Sequence, residues 1–297
     1  MPTTRSIDPA GLAQDFTFGV EIETTVSLAT VEKSNMTIGE YHRDIQIPFL
    51  PQGWLAMKDA SINAPTGRTG CEIVSPVLKG AVGIAELIHV VRILNQHGFK
   101  VNDSCGVHVH VGFADRTAED LAKLITLTAL VEKGLYASTG TKKRERSSWC
   151  KSVKKHGAGT AKMKSKEFVT KYKAETSNVK YQALNINNLN PGGKGTVEFR
   201  VFSGSLNATK IVGWVQACLG LVEKSLTVKK MPQWNGKEIT ANSRFRKGGE
   251  GATELERLLF ILGWGDRKKN YGWISDAIPM KEIKKEFRRL AKKYDSE

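Results

Sequence analysis

The sequence predicts an α+β protein in which an antiparallel sheet carries helices stacked on one face. Segments that alternate between apolar and polar residues, as strands with one buried face do, occur in the same chain as long segments with the apolar spacing of amphipathic helices. Hairpin-like strand pairs and single long helices follow one another without a repeat of fixed period. This mixture favours antiparallel pairing, with the helices gathered on one side of the sheet.

The strand prediction depends on four alternating segments, each with an apolar side and a polar side. In the first of them, Phe18, Val20 and Ile22 share the apolar side, because successive side chains of a strand point to opposite faces. The segments are FTFGVEIETTV (16–26), GCEIVSP (70–76), CGVHVHVGF (105–113) and GTVEFRVFSG (195–204). Their polar sides carry Glu21 and Glu23, then Glu72, then His108 and His110, and finally Glu198 and Arg200.

The helix prediction depends on apolar residues that recur at i, i+3, i+4 and i+7. Thr117 is a suitable N-cap for the second helix. The last helix, MKEIKKEFRRLAKKY, is basic, with Ile283, Phe287 and Leu290 at core spacing. The predicted helices are 81–95, 117–136, 208–227, 251–264 and 280–294. Further strands are expected in YHRDIQIPF (41–49) and in YQALNINN (181–188), which would form a hairpin with GTVEFRVFSG around LNPGGKG.

The 297 residues suffice for one large domain or two small ones. We place a catalytic domain at residues 1–228 and a helical, basic C-terminal extension at 229–297. The chain contains no apolar run near the roughly 20 residues of a membrane helix, and its first residues lack the apolar core of a signal peptide. We therefore expect a cytoplasmic protein with no membrane partner. The four cysteines form no CxxC pair, which indicates reduced thiols.

The positive charge of the chain is concentrated in one segment. The formal net charge is +15, and residues 141–173 contain twelve Lys or Arg against two Glu. Because the centre of this segment has few apolar residues, we expect a basic, mobile loop at 138–166. Such a field attracts polyanions, so nucleic acid or another polyanion is a candidate partner through 141–173. A loop that only keeps the surface solvated is the alternative.

The polar sides of the four strands together predict a metal site. Four glutamates on one sheet face would repel one another unless most were protonated or cations lay among them. Two divalent ions match four carboxylates, and oxygen ligands with an imidazole suit Mg²⁺ or Mn²⁺ better than zinc. Metals with open positions beside Arg200 are suited to phosphoryl transfer from a nucleotide. Taken singly, a Glu-x-Glu strand or the pair of Glu198 and Arg200 would equally suit a solvated surface.

Several of these motifs resemble the amidoligase family, which is related to glutamine synthetase and to the carboxylate–amine ligases that include glutamate–cysteine ligase. The resemblance covers about residues 16 to 228, in the order and spacing of the family. It is carried by FGVEIE, WLAMKDASI, CEIVSPVLKG, CGVHVHVGF and ALNINN…GTVEFRVFSGSL…IVGWV. It implies a glutamine-synthetase-like antiparallel sheet, a partial barrel, and an ATP-dependent ligase that forms amide bonds with two Mg²⁺ or Mn²⁺ ions.

The resemblance also implies roles for individual residues. Glu23 and Glu72 would favour one ion, and Glu21, His108 and Glu198 the other. His110 and Arg200 would touch the phosphates of ATP or of an acyl phosphate, and with Glu23 they are the expected catalytic residues. The remaining expectations are Lys58 and either Arg144 or Arg146 of RERSSWCK for the nucleotide, and Trp54, Asp59 and Ser61 for the substrate. The family's DGS stands here as Asp59-Ala60-Ser61.

The expected reaction joins a carboxylate to an amine through an acyl phosphate, with release of ADP and phosphate. The acceptor could be a polyanion such as modified DNA, given the basic segment and the basic last helix. Two other functions remain open from the residues alone: a two-metal hydrolase or nuclease that uses the same carboxylates on nucleic acid, and a nucleic-acid-binding protein without enzymatic activity.

Overall fold

The sheet of this protein is a single, open, antiparallel sheet of eight strands, seen in a computed structural model that describes residues 12–40, 45–153, 165–176, 180–229, 231, 248–264 and 270–297. The strands are β1 (Thr17–Ser27), β2 (Ile45–Gln46), β3 (Leu55–Met57), β4 (Arg68–Val74), β5 (Leu78–Lys79), β6 (Gly106–Gly112), β7 (Leu184–Asn185) and β8 (Thr196–Ser203). Their order is β2-β3-β4-β1-β6-β8-β7, and β5 pairs with β1. The predicted antiparallel α+β class is confirmed.

Seven α-helices surround the sheet within the described residues. They are α1 (Leu28–Lys33), α2 (Gly80–Gln96), α3 (Ala118–Ala137), α4 (Ser165–Thr176), α5 (Ala208–Thr227), α6 (Glu250–Ile261) and α7 (Met280–Ser296). Thr117 caps α3 in a capping box with Asp120, as the sequence predicted for the N-cap. None of the described helices is long and apolar enough to cross a membrane.

The helices pack in two layers behind the sheet. Helix α5 contacts β6 and α3 contacts β8, while α6 packs along α3 and α7 contacts α5. The sequence predicted one apolar side for α5, but the structure buries almost the whole helix, because the second layer covers its other side. Gly213 allows this close packing, since a Cβ there would lie 2.7 Å from the side chains of Ile283 and Phe287 in α7.

The apolar sides of the central strands form the core between the sheet and the helices. The valines of β6 are fully buried, as are Ile22 of β1 and Ile73 of β4. The alternation therefore gave the correct inner side for these strands. In β8 the register jumps, because Val109 pairs with Phe199 whereas Val107 pairs with Phe202. This bulge places two residues of β8 opposite His108 and interrupts the alternation that the sequence predicted to continue through Val201.

Two predicted strands are shorter in the structure. Only Leu184 and Asn185 of YQALNINN form a strand, and a 3₁₀ turn follows at Asn187–Leu189. Of YHRDIQIPF, Ile45 and Gln46 form β2, while residues 41–44 lie outside the described part of the chain. The hairpin around LNPGGKG is present, with β7 antiparallel to β8.

The structure describes part of the segment after α3, where we expected a basic, mobile loop at 138–166. Residues 138–153 pack against the body of the protein, with Arg144, Cys150 and Val153 buried. The carboxylate of Glu132 in α3 accepts hydrogen bonds from the backbone N–H of Val153 at 2.7 Å and from Ser152 Oγ at 2.5 Å. A few buried side chains and hydrogen bonds therefore hold this stretch against the protein, although most of its residues are polar. Residues 154–164, with Lys154 and Lys155, lie outside the described residues.

Candidate active site

The register of the sheet brings the predicted polar residues of four strands together. Strands β4, β1, β6 and β8 are consecutive neighbours, and their polar residues face one another as direct cross-strand partners. The pairs are Glu23 with Glu72, Glu21 with His108, and His110 with Glu198. Because side chains of directly opposed residues lie on the same face, the alternation of each strand and the register of the pairs together create one cluster.

His108 lies among the four glutamates. Its Nδ1 atom is 3.2 Å from Glu21 Oε2, 3.6 Å from Glu198 Oε1 and 3.8 Å from Glu72 Oε1. Its Nε2 atom is 3.4 Å from Glu23 Oε1. Three carboxylates near Nδ1 and one near Nε2 are more than the hydrogen bonds of one buried imidazole require.

The second histidine extends the cluster toward the end of β8. His110 Nδ1 is 3.1 Å from Thr196 Oγ1, and His110 Nε2 is 3.1 Å from Glu21 Oε1. Although His110 Nε2 and His108 Nε2 both have a carboxylate oxygen within 3.4 Å, the angles are not those of a hydrogen bond, and both atoms are buried without a hydrogen-bond partner. A buried imidazole nitrogen in this state is suited to ligate a metal ion.

Three groups of side chains in the cluster have ligand atoms within 4.8 Å of one another. They are Glu21, Glu72 and His108; Glu21, His110 and Glu198; and Glu23, Asp59 and Glu72. Carboxylate oxygens with one imidazole and no thiolate fit Mg²⁺ or Mn²⁺. The donor set therefore fits the two divalent ions predicted from the sequence, with Asp59 added beside Glu23 and Glu72.

Glu72 shows the electrostatic cost of this arrangement. Burial raises its pKa well above the usual range, and the negative charges of Glu21, Glu23, Asp59 and Glu198 raise the pKa further. Without cations, the cluster therefore holds a proton at Glu72 at a pH where exposed glutamates are ionised. A divalent ion would replace that proton.

The pKa values of Glu21, Glu198 and His110 shift in the direction that favours their charged forms. Burial would raise the pKa of Glu21, but its close contacts with His108 and His110 and the charges of these imidazoles outweigh burial and lower the pKa well below the usual range. The pKa of Glu198 is likewise raised by burial but lowered overall, chiefly by Arg200. Burial lowers the pKa of His110, and Glu21 more than reverses this. The pKa shifts of Glu21, Glu198 and His110 thus favour their ionised forms, whereas that of Glu72 favours its protonated form.

Two buried arginines border the carboxylates. Arg200 Nη1 donates a hydrogen bond to Glu198 Oε1, and its guanidinium lies 5.8 Å from the ring centre of Tyr181. Arg144 Nη2 donates a hydrogen bond of 2.6 Å to the backbone oxygen of Arg200. The Nε atoms of Arg144 and Arg200 are buried without a hydrogen-bond partner among the described residues. Unpaired guanidinium donors of this kind are suited to a ligand with anionic oxygens.

Gly106 connects Arg144 to the metal-binding face. Its backbone N–H donates a hydrogen bond of 2.5 Å to Glu23 Oε2. Gly106 precedes His108 by two residues on β6, so a Cβ at this position would point toward the same face, where it would lie 3.0 Å from the Arg144 guanidinium. The guanidinium therefore covers the strand where a side chain would otherwise project. This explains why β6 begins with glycine.

The structure adds residues that the sequence reasoning missed. Asn185 Nδ2 donates a hydrogen bond of 2.7 Å to Glu198 Oε2, and Lys194 Nζ lies 3.6 Å from Glu21 Oε1. Thr196, which lies beside His110, precedes Glu198 by two residues on β8 and could have been found from the alternation. Asn185 could not, because its position depends on the pairing of β7 with β8.

Of the other predicted residues, only Asp59 joins the cluster. Ser61 is exposed beside it and donates its backbone N–H to Asp59 Oδ1 at 2.7 Å. Lys58 and Arg146 are exposed, so Arg144 is the arginine of RERSSWCK that reaches the site.

Trp54 requires a correction. It is fully buried, and its indole Nε1 donates a hydrogen bond of 2.7 Å to Glu86 of α2. The expected substrate contact is wrong, because Trp54 shares the parity of Ala56, which pairs with Ile73 on the helix-covered side of the sheet.

Two adjoining cavities open beside the cluster. The first, about 510 Å³, is lined by Glu21 and His110 at one end and by Phe16, Phe18, Pro76 and Val77 elsewhere. The second, about 390 Å³, is lined by Lys173 and residues of the α3 N-terminus, and it shares Phe113 and Arg116 with the first. The first cavity is large enough for a nucleotide-sized ligand.

Comparison with known proteins identifies the family. A family model described as putative amidoligase enzyme matches residues 14–222, which is more than two thirds of the chain. The match includes all four strands of the cluster, Asp59 and Arg144, and it ends within α5. No curated protein matches the chain. The resemblance that the sequence motifs indicated is therefore confirmed, and the chain belongs to the amidoligase family.

Proposed function

We propose that this protein is an ATP-dependent carboxylate–amine ligase that works through an acyl phosphate. The observation that carries the proposal is the cluster itself: four glutamates converge with two imidazoles beside two buried arginines whose Nε atoms lack a partner. Membership of the amidoligase family supports amide formation. The cluster supports the use of a nucleotide triphosphate with divalent ions.

The reaction requires activation, because a carboxylate does not react with an amine in neutral water. Transfer of the γ-phosphoryl group of ATP to a carboxylate oxygen forms a mixed anhydride and ADP. The amine then attacks the acyl carbon, the bond from that carbon to the phosphate oxygen breaks, and the amine loses a proton as phosphate leaves. The protein would hold both substrates in line, neutralise charge and exclude water.

Each part of the site has a proposed role. Glu21, His108 and Glu198 would hold one divalent ion, since His108 Nδ1 lies 3.2 Å from Glu21 Oε2 and 3.6 Å from Glu198 Oε1. Glu23, Glu72 and Asp59 would hold the other. Bound divalent ions neutralise phosphate charge and orient the transferred group. We assign phosphate contacts to His110, Arg200 and Arg144, the last two through their unpaired Nε donors. Of these three residues, His110 lines the first cavity, whose apolar wall would take the base of the nucleotide.

The test is the release of ADP from ATP and Mg²⁺ with pooled carboxylates and amines, followed by mass spectrometry of the products. A ligase forms ADP only when both co-substrates are present, and Arg200→Lys, which keeps the charge but loses the planar donor set, should reduce the rate by about 100-fold or more. A two-metal nuclease would cut DNA or RNA with Mg²⁺ and no ATP, and that result would replace the proposal. A binding protein would do neither.

We also propose that the acceptor is a polyanion, because Lys173 and Arg116 line the second cavity next to the site. Binding of a DNA duplex should weaken steeply with salt, and Lys142→Ala, Lys143→Ala, Lys154→Ala and Lys155→Ala together should weaken it and flatten the salt dependence. DNA affinity that ignores both salt and these substitutions would exclude a polyanionic acceptor. Lys33→Ala, an exposed lysine of α1, is the matched control.

A further inference from the structure

The last turn of α7 holds the segment that contains Arg144. Glu297 Oε2 accepts hydrogen bonds from Thr141 Oγ1 and from the backbone N–H of Lys142, both at 2.8 Å. Tyr294 of α7 donates its hydroxyl hydrogen bond to Glu145 Oε2. The segment is therefore fixed to the helix on both sides of Arg144, at Thr141 and Lys142 before it and at Glu145 after it.

The chain approaches α7 closely just before these contacts. Gly140 has φ +79°, a conformation that favours glycine, and a Cβ there would lie 2.7 Å from Leu290 Cδ2 in α7. The ammonium group of Lys142 also lies 5.4 Å from the ring centre of Tyr294. Helix α7 thus forms one wall of the turn that leads from α3 into the Arg144 segment.

Arg144 is the residue of this segment that turns inward to the sheet. Its side chain is only 7% exposed, donates to the backbone oxygen of Arg200 at 2.6 Å and covers Gly106. An arginine has several rotatable bonds, so its guanidinium keeps one position only if the backbone that carries it is fixed. Local hydrogen bonds shape this backbone, and the three bonds to Glu297 and from Tyr294 tie it to α7.

We propose that Tyr294 and Glu297 are positioning residues that set the Arg144 guanidinium for the phosphates of ATP. The inference rests on the proposed ligase function and assigns a role to a helix that lies outside the matched range 14–222. Neither residue touches the substrate. They act through the backbone of residues 141–145, and their effect on the nucleotide passes through Arg144.

The first measurement is hydrogen–deuterium exchange of the full chain without nucleotide. Tyr294→Phe combined with Glu297→Ala should speed exchange at the amides of Lys142, Arg146 and Ser147, which are now bound by Glu297 and by the oxygens of Lys142 and Arg144. Glu297→Gln keeps an acceptor oxygen and should largely preserve the protection. Lys292→Ala, exposed on α7 two residues before Tyr294, is the matched control. Unchanged exchange in the double variant would refute the positioning role.

The second measurement is a double-mutant cycle on the affinity for the non-hydrolysable ATP analogue AMPPNP with Mg²⁺. Arg144→Gln should weaken binding by about 10- to 100-fold, as expected for a lost hydrogen bond to a charged group. The α7 double variant should weaken binding several-fold in the wild-type background and have almost no further effect in Arg144→Gln. Additive effects would show that α7 acts by another route and overturn the inference. If the wild type does not bind AMPPNP, the proposed function fails, and exchange alone decides whether α7 positions Arg144.

Discussion

The substitution Glu72→Gln should have opposite effects on the stability of the protein without metal and with metal. Glu72 lies directly opposite Glu23, and its ligand oxygen lies within 4.8 Å of the other carboxylates of its groups. Two charges at that distance repel by about 3.5 kcal/mol at an effective dielectric constant of about 20. Because protonation of Glu72 already relieves part of this repulsion, we expect the variant to gain about 1–2 kcal/mol in the free energy of unfolding without metal. That gain corresponds to a rise in Tm of roughly 2–3 °C for a chain of 297 residues.

The assay is thermal unfolding in EDTA and in excess Mn²⁺ or Mg²⁺. An ion present at 100 times its Kd should stabilise the wild type by about 2.7 kcal/mol. Glu72→Gln should lose most of this metal-dependent gain, because Glu72 belongs to two of the three ligand groups. The order of stabilities should thus reverse, with the variant ahead in EDTA and behind in metal. Glu40→Gln, an exposed loop position, should change neither value.

A lower Tm of Glu72→Gln in EDTA, together with an undiminished metal shift, would refute the reasoning. It would show that Glu72 is an ordinary buried carboxylate that stabilises the apo fold through its contact with His108, whose Nδ1 atom lies 3.8 Å away. The interpretation of the cluster as a metal centre would then lose its electrostatic argument, although the geometry would be unchanged.

Three further outcomes are expected. Metal binding should release a proton, and metal affinity should fall as the pH is lowered, because the raised pKa of Glu72 means that a proton must leave before the ion binds. Calorimetry in buffers of different ionisation enthalpy measures both effects. An affinity that does not change with pH would contradict this prediction. Gly106→Ala should leave the fold intact but weaken binding of AMPPNP by about 10-fold or more, since the added Cβ would displace the Arg144 guanidinium. Gly67→Ala controls for the loss of a glycine, because no atom of the described residues lies within 4 Å of the added Cβ there. Its φ of +74° adds some strain. Trp54→Phe should lower the free energy of unfolding by about 1–3 kcal/mol, because it leaves the Glu86 carboxylate without its indole donor. It should not alter nucleotide affinity. A loss of nucleotide affinity without a loss of stability would show that Trp54 does contribute to the site.

The site residues on regular strands could be predicted because strand alternation and antiparallel pairing together determine where they lie. Alternation assigns Glu21, Glu23, His108 and Glu198 to one face, and antiparallel neighbours then bring that face together. Alternation also places Trp54 on the face of the sheet opposite the site. The adjoining strand has only three residues, however, which is too short for its alternation to be recognised from the sequence. The bulge opposite His108 was not predictable, because it depends on the register between β6 and β8 and not on either strand alone.

Arg144 shows where sequence reasoning stops. Composition around residues 141–153 indicates an exposed basic loop, and within the segment Arg144 and Arg146 are equivalent by charge and spacing. What distinguishes them is long-range: the glycine in β6 that leaves space for a guanidinium, the backbone oxygen of Arg200, and the helix α7 about 150 residues later in the chain. A buried arginine is tolerated only where such partners already exist. Its burial is therefore a property of the assembled fold, and the same contacts that bury it give it a defined position beside the carboxylates.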